Sequence, residues 1–543
     1  MSRSEPRRLG VSVPARALAR RVRSLSVAMA ASATPPLSLG LWSTRHTAQR
    51  SSAVDGRVLL AVILVAQMLW IGCSAITNTA LFPDSAEQFI WSKSLEWGYY
   101  KHPPLPTWMF AAAISVLGPH PWVVGVLSGL CLAATGMLTW AIAKPLLGGR
   151  AAALCLLFWS LQQPFSLRAY LYNHNVPLVL AVALTAWAVL QAARRPERAA
   201  LWALAGLAAG AALMSKYQAA IPLFGLVWAL WRSGALASPA GRSGLALAAG
   251  LALAVCTPHL NWLLEHDAPT LHYAAIHVES TGIGARLANS WFFSVQQLRS
   301  VMPALVCAGL WWLAAPGAAA AAPAAPIEFD GGMPAAQRRA WFEGLLLVPL
   351  LLVFGAALFG GFHLRAQWGM QTLQFVSIPL VGWVLARRPL PSVRQALVAA
   401  LTVHAVGAAI VTELGIRQAR AAEDSEHVVQ FGQAQVIADA IGASWGRFSA
   451  CRLNYVVGDA HLAALVSAYS GTHPYVLEDG DLAKNPWIDP VLVQRAGAVY
   501  IATSAELLPP DVIHTPDMTL PARVWRRQMP LVWGVDPPTE KCR

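Results

Sequence analysis

Charge is what this sequence has least of. Only 12% of its 543 residues are Asp, Glu, Lys or Arg, about half the share carried by a soluble globular domain. An ordinary soluble chain is thereby excluded. The deficit is uneven: from about residue 58 to 413, runs of Ala, Leu, Val and Trp alternate with short charged clusters. Several runs reach the ~17–25 apolar residues that a bilayer-spanning helix requires. Acids are scarcer than bases, 27 against 40, but the surplus Arg lies in the N-terminal tail and in connectors between apolar runs. That placement suits membrane topology and argues against nucleic acid as a partner. Cysteine is sparse too. Cys73, Cys131, Cys155, Cys256 and Cys307 lie in or near apolar runs, where a thiol behaves as a small hydrophobe. Cys451 and Cys542 lie in a polar tail; they form a disulfide if the tail is outside the cytosol, or remain two thiols, since spacing does not set connectivity.

Residues 1–57 are Arg-rich and lack the apolar core and cleavage site of a signal peptide. They read as a disordered basic cytoplasmic tail. A first span at about 58–80 leads outward, a long outer loop follows at 81–121, and a second span returns at 122–143. Lys144 and Arg150, then Arg194, Arg195 and Arg198, Arg232 with Arg242, Arg338-Arg339 and Arg387-Arg388 mark cytoplasmic turns by the positive-inside bias. Placing them all inside gives about eleven spans, the remainder at 151–166, 176–192, 199–214, 217–231, 243–260, 300–315, 342–361, 369–386 and 395–413. An odd number puts the termini on opposite sides, with the C-terminal tail outside. The segment 314–341 opens with a stretch of Ala, Pro and Gly and reads as a cytoplasmic linker. The expected fold class is therefore mainly α, a polytopic membrane body over 58–416, with a small extracytoplasmic α/β domain at 417–543. In that tail, an amphipathic helix at Glu423–Trp445, a helix at Ala460–Tyr469, and strands at 452–457, 474–477 and 498–503 alternate as an α/β unit does. No phosphate-cradling Gly loop or nucleophile elbow lies there, so it reads as a structural or acceptor-binding cap.

Chemistry concentrates at the outer ends of the spans. Pro83-Asp84 opens a helix in which Asp84 suits the N-terminal turn, and Glu87 falls three residues later on the same face. The bland reading is a helix cap with a solvated neighbour. Basic residues are disfavoured outside, yet Lys101, Arg168, Lys216 and Arg365 sit at outer helix ends, accompanied by Tyr170, Asn173, His174 and His363. Membrane-edge charges are costly and usually functional; any single one of these reads as an ordinary anchor, while together, converging on one side, they suit a phosphate. The stretch 261–299 reads as a solvated interfacial loop; His272, His277 and Glu279 within it match no strong metal signature.

The segment from Asp84 through Trp91, Leu95-Glu96-Trp97-Gly98-Tyr99-Tyr100-Lys101 and His102-Pro103-Pro104 resembles the first outer loop of the GT-C membrane glycosyltransferases. It is most similar to the bacterial protein O-mannosyltransferase and lipid A aminoarabinose transferase group. Gly206, Gly210, Ser215-Lys216-Tyr217, Pro258-His259-Leu260-Asn261-Trp262 and the turn ending at Trp368 support the match. The resemblance implies transfer of a sugar from a polyprenyl-phosphate carrier to a lipid, glycan or protein acceptor outside the cytosol, with inversion. It implies Asp84 as the catalytic acid of the loop. The position after it, often a second acid, is Ser85, and Lys101 stands where an Asp is common before His-Pro-Pro. Lys101, His102, Lys216 and Arg365 would hold the donor phosphate, with Glu87, Arg168, Tyr170, Asn173 and His363 as further donor or acceptor contacts. The carrier is already activated, so no nucleotide or redox cofactor is required, and the sequence does not demand a divalent metal. The expected partners are the lipid-linked sugar and membrane lipid, in a bacterial inner membrane. Two alternatives stand beside this reading: a transporter or flippase for lipid-linked saccharides, and a non-catalytic subunit of envelope-polysaccharide assembly.

Overall fold

A computed structural model describes residues 55–77, 80–276, 278, 282–314, 332–387, 392–423, 434–524 and 527–540. Nearly all of the basic tail expected at 1–57, the low-complexity part of the linker, His277, Glu279 and Cys542 lie outside the described residues.

The apolar runs fold as helices. They are α1 (Gly56–Thr77), α2 (Pro83–Trp91), α3 (Leu105–Leu117), α4 (Trp122–Leu147), α5 (Gly149–Ser160), α6 (Asn175–Arg194), α7 (Ala199–Leu213), α8 (Ala220–Arg232) and α9 (Pro239–Glu265). Then come α10 (Pro269–Ala275), α11 (Ile283–Ala314), α12 (335–360, with a π turn at Glu343–Leu347), α13 (Gly369–Leu373), α14 (Ser377–Leu385) and α15 (Val393–Glu423). Among the described residues, α1, α4, α6, α9, α12 and α15 are long and apolar enough to cross a membrane. The other expected spans are shorter, interrupted or more polar. The chain is a multi-pass membrane protein, but length and composition do not by themselves support eleven crossings.

Three departures stand out. The stretch 261–299 is not a loop: α9 continues through Asn261 to Glu265, α10 follows, and α11 begins at Ile283. Arg286, Asn289, Gln296 and Arg299 dilute the hydropathy of α11 without breaking its helix. The expected span 369–386 divides between Leu373 and Ser377. Arg338 and Arg339 lie inside α12 rather than in a connector, where Arg339 pairs with Glu343 one turn on at 3.1 Å. Helix α7 carries Gly206 and Gly210 one turn apart, and they let α9 approach: a Cβ on Gly206 would stand 2.4 Å from the Ala248 carbonyl oxygen. Small residues at one-turn spacing serve this purpose between membrane helices.

The tail comprises α16 (Ala434–Phe448), α17 (Ala460–Tyr469), α18 (Pro490–Ala496) and five strands: β1 (Tyr455–Gly458), β2 (Tyr475–Glu478), β3 (Ala498–Ala502), β4 (Thr519–Val524) and β5 (Arg527–Asp536). The helix expected from Glu423 is thus displaced, since Glu423 closes α15. The sheet order is β2-β1-β3-β5-β4. The β1–β2 and β1–β3 pairs are parallel; β3–β5 and β4–β5 are antiparallel. Asp459 caps α17 by accepting from the backbone N–H groups of His461 and Leu462.

The tail does not keep its core to itself. Ala86, Ile90 and Trp91 of α2, with Tyr99 beyond it, are buried in one apolar cluster with Ile437, Ile441, Trp445, Val456, Leu465, Val499 and Trp533. Helix α17 packs directly on α2. Further ties are Lys93 Nζ to the His473 carbonyl at 2.7 Å and His461 Nε2 with the Leu81 carbonyl at 3.2 Å. The sharing has an arithmetic reason: a four-residue strand such as β1 buries only its Val456 and Val457 side chains, so a small sheet gains by covering an apolar helix.

Candidate active site

The site is assembled where α2, the segment 92–104, the turn before α6 and the end of α7 meet. Phe82 precedes a proline and is extended, at φ −65° and ψ 147°, and Pro83 occupies the first helical position. Asp84 therefore falls in the first turn. It does not cap the helix: no side chain caps α2, and the Asp84 carboxylate instead accepts from Asn173 Nδ2 at 3.2 Å. Ser85 anchors the helix by donating to the Tyr172 carbonyl at 2.9 Å.

Asn173 passes the interaction on. Its side-chain oxygen accepts from the backbone N–H and the side-chain amide of Asn175, at 2.9 and 3.2 Å. The Asn175 oxygen in turn accepts from Lys216 Nζ at 3.0 Å. Two amides, each oriented by its neighbour, thus connect an ammonium to the Asp84 carboxylate. Every dipole in the chain points the same way, the arrangement in which hydrogen bonds reinforce one another.

Glu87 is not a solvated neighbour. It is buried, and it forms an ion pair with Lys101. The two acids share one face of α2, as their three-residue spacing requires. Lys101 Nζ also lies 5.0 Å from the centre of the Tyr100 ring and 5.8 Å from that of Tyr273. The rings of His102 and His174 lie 3.7 Å apart between centres. Gly98 makes the preceding turn feasible: a Cβ there would stand 2.3 Å from the Trp262 ring.

Burial sets the proton affinities. It pushes the Asp84 carboxyl above its usual range, opposed by Lys216, Lys101, the Asn173 bond and Arg365. Burial raises Glu87 to about 7, against the pull of Lys101. It also brings Lys216 down to about 7, opposed by Asp84. Although burial works against it, Glu87 holds the Lys101 ammonium above the ordinary lysine range. His174 is held well below the usual histidine value by burial and by His102, Lys216 and Lys101. A cation and an acid that both change charge near neutrality can exchange protons with substrate groups.

Two cavities meet at this constellation. The first, of about 360 Å³, is lined by Asp84, Glu87, Lys101, His102, His174, Lys216, Tyr217, Tyr273 and Arg365. The second, of about 500 Å³, is lined by Asp84, Gln163, Arg168, Tyr170, Asn173, Asn175, Gln296 and Arg365. Asp84, Arg365 and Gln367 belong to both. The four residues expected to hold phosphate thus gather in the first cavity, and Arg168, Tyr170 and Asn173 in the second. His363 lines neither; it borders a third cavity of about 440 Å³ with Arg286 and Asn289, whose amide lies 3.3 Å from its Nε2. Among the described residues, no three His, Cys, Asp or Glu side chains converge as a metal-binding group. Cys451 is disulfide-bonded.

Four contributors were given no role by the sequence. His174, Asn175 and Tyr217 entered only as neighbours of the expected cations or of the matching motif. Tyr217 is held by His259 Nε2 and Thr270 Oγ1, each at 2.7 Å. Glu478 comes from β2, nearly four hundred residues after α2, and no local pattern marks it.

A sequence profile for dolichyl-phosphate-mannose-protein mannosyltransferases matches residues 101–262. The chain is similar to the lipid A galacturonosyltransferase RgtD of Rhizobium johnstonii, 25% identical over 43% of this chain and 49% of that protein. It is also similar to the lipopolysaccharide core galacturonosyltransferase RgtB of the same organism, 28% identical over 38% of this chain and 42% of that protein. The matched region thus spans under half the length of these curated relatives. Over the whole fold, the ArnT of Cupriavidus metallidurans bound to undecaprenyl phosphate superposes with a TM-score of 0.59, covering 89% of this chain and 98% of that one at 14% identity.

Proposed function

From a chain that has the fold of the GT-C membrane glycosyltransferases, we propose an enzyme that moves a sugar from a polyprenyl-phosphate carrier to an acceptor hydroxyl, with inversion. The carrying observation is that the Asp84 carboxylate borders two cavities at once, one of them rich in cations. The donor phosphate occupies the cavity of Lys101, His102, Lys216 and Arg365. The acceptor enters the cavity of Arg168, Tyr170 and Asn173. Asp84 takes the proton of the acceptor hydroxyl as its oxygen bonds to the anomeric carbon. The bond from that carbon to the phosphate oxygen breaks, and its electron pair leaves with the polyprenyl phosphate. Fixed cations stabilise the charge that develops there, at no cost of reorganisation.

The names of the relatives make galacturonic acid the first donor sugar to test and lipid A or lipopolysaccharide core the first acceptors. The same reading puts the N-terminus in the cytoplasm of a bacterial cell and the tail in the periplasm; the bias of basic connectors toward the inner face supports the orientation. The test uses the full chain in liposomes with a panel of polyprenyl-phosphate sugars and a lipopolysaccharide-containing membrane extract. Consumption of one donor with labelling of an acceptor is expected. Movement of a lipid-linked sugar between leaflets without its consumption overturns the proposal in favour of transport.

A further inference from the structure

The tail contributes one acid to the neighbourhood of the cation cavity, and the reaction above does not use it. Glu478 ends β2 and is wholly buried. Its Oε1 accepts from the indole N–H of Trp91 at 2.9 Å and from Asn485 Nδ2 at 3.3 Å. Its Oε2 accepts from the Tyr100 hydroxyl at 3.1 Å. Its own backbone N–H donates to Asn485 Oδ1 at 2.7 Å, which fixes the strand end. One carboxylate therefore grips the last residue of α2 and the residue immediately before Lys101.

These two holds define the segment between them. Trp91 stacks on Tyr99 at 5.1 Å, and its ring meets the edges of Tyr100 at 6.1 Å and His102 at 6.3 Å. Tyr99 is closed in from the tail by Trp487 at 5.8 Å. The segment 92–104 has no helix or strand of its own, so side-chain bonds and ring contacts set its course. A buried carboxylate that lost a donor would carry an unsatisfied charge, which makes the grip selective for this one geometry.

We propose that Glu478 is a positioning residue through which the tail sets Lys101 and His102 against the donor phosphate. It touches neither substrate; it acts through Trp91 and Tyr100. The inference rests on the proposed function, and it gives the tail a task in donor binding rather than in acceptor binding alone.

The experiment uses Glu478→Gln, Tyr100→Phe and the double variant of the full chain in liposomes, with donor and acceptor KM measured separately. Glu478→Gln keeps the size of the side chain and an oxygen for Trp91, but the new amide nitrogen can only donate to the Tyr100 hydroxyl, so the charge-assisted bond from Tyr100 is lost. Tyr100→Phe removes the same bond from the other side and keeps the ring, so a folding failure of one variant leaves the other informative. Each single variant is expected to raise the donor KM about tenfold, the scale of one lost charge-assisted hydrogen bond. The acceptor KM stays unchanged, and the double variant is no worse than the weaker single one. Donor KM unmoved in both variants, or donor and acceptor KM raised alike, overturns the inference while the transferase reading stands. A wild type that consumes no donor overturns both.

Discussion

Asp84→Asn separates the roles of carboxylate and scaffold, because the substitution is nearly isosteric. The asparagine oxygen can still accept from Asn173, so the amide chain to Lys216 survives. What disappears is the negative charge and the proton acceptor. General bases contribute roughly 10²–10⁴ in rate, so kcat should fall by that factor, about 3–5 kcal/mol in the barrier. A second effect follows from Lys216. Burial lowers its proton affinity to about 7, and the Asp84 charge is what opposes the fall. Removing that charge lowers the affinity further, so Lys216 loses its proton at a lower pH. The donor KM of the variant should therefore begin to climb at a lower pH than that of the wild type, while at acid pH the two should approach each other. Steady-state kinetics in liposomes from mildly acidic to mildly alkaline pH would resolve both effects. A variant that keeps kcat within tenfold of the wild type, well short of the roughly hundredfold low edge of what a general base supplies, refutes the assignment of Asp84. A loss of kcat with an unshifted KM profile refutes the coupling to Lys216.

Two further outcomes follow from the geometry. Glu87 takes up a proton as pH falls through about 7, leaving the Lys101 charge uncompensated and more available to phosphate. Donor KM should therefore fall on the acid side of that value, and Glu87→Gln should lower it a few-fold on the alkaline side while matching the wild type on the acid side; equal KM at alkaline pH sinks the idea. Gly206→Ala should destabilise the helical body by about 1–3 kcal/mol through overpacking, because its Cβ would meet the Ala248 backbone at 2.4 Å. Gly250→Ala, which meets nothing within 4 Å, serves as the control, and equal heat-denaturation midpoints would refute the contact.

What could be read in advance divides along sequence distance. Helix Ala460–Tyr469 and the starts of α4 and α6 declare themselves because hydrophobic period and end signals are local. The Asp84 loop is legible for the same reason: Pro83, Asp84, Glu87 and His102-Pro103-Pro104 lie within one short stretch. Helix α11 is hidden by its own polar residues, some of which meet neighbouring segments rather than water; Gln297 Nε2, for example, donates to the Ala366 carbonyl at 2.9 Å. β4 and β5 pair locally as a hairpin, and only the pairing of β5 with β3 joins segments distant in sequence. The amide chain through Asn173 and Asn175 and the grip of Glu478 arise only when segments distant in sequence are folded together.

The common core of the tail and α2 has a consequence for synthesis. Trp91 and Glu478 are 387 positions apart, so the loop bearing Asp84 leaves the ribosome long before the partners that order it. At roughly 5–20 residues per second, that interval is on the order of tens of seconds. On the role proposed for Glu478, Lys101 and His102 lack their final placement through that interval, whereas Lys216 already has its Asn175 partner. If Glu478 positions that segment, maturation waits for the last quarter of the polypeptide, and truncation there should disable the first loop from a distance.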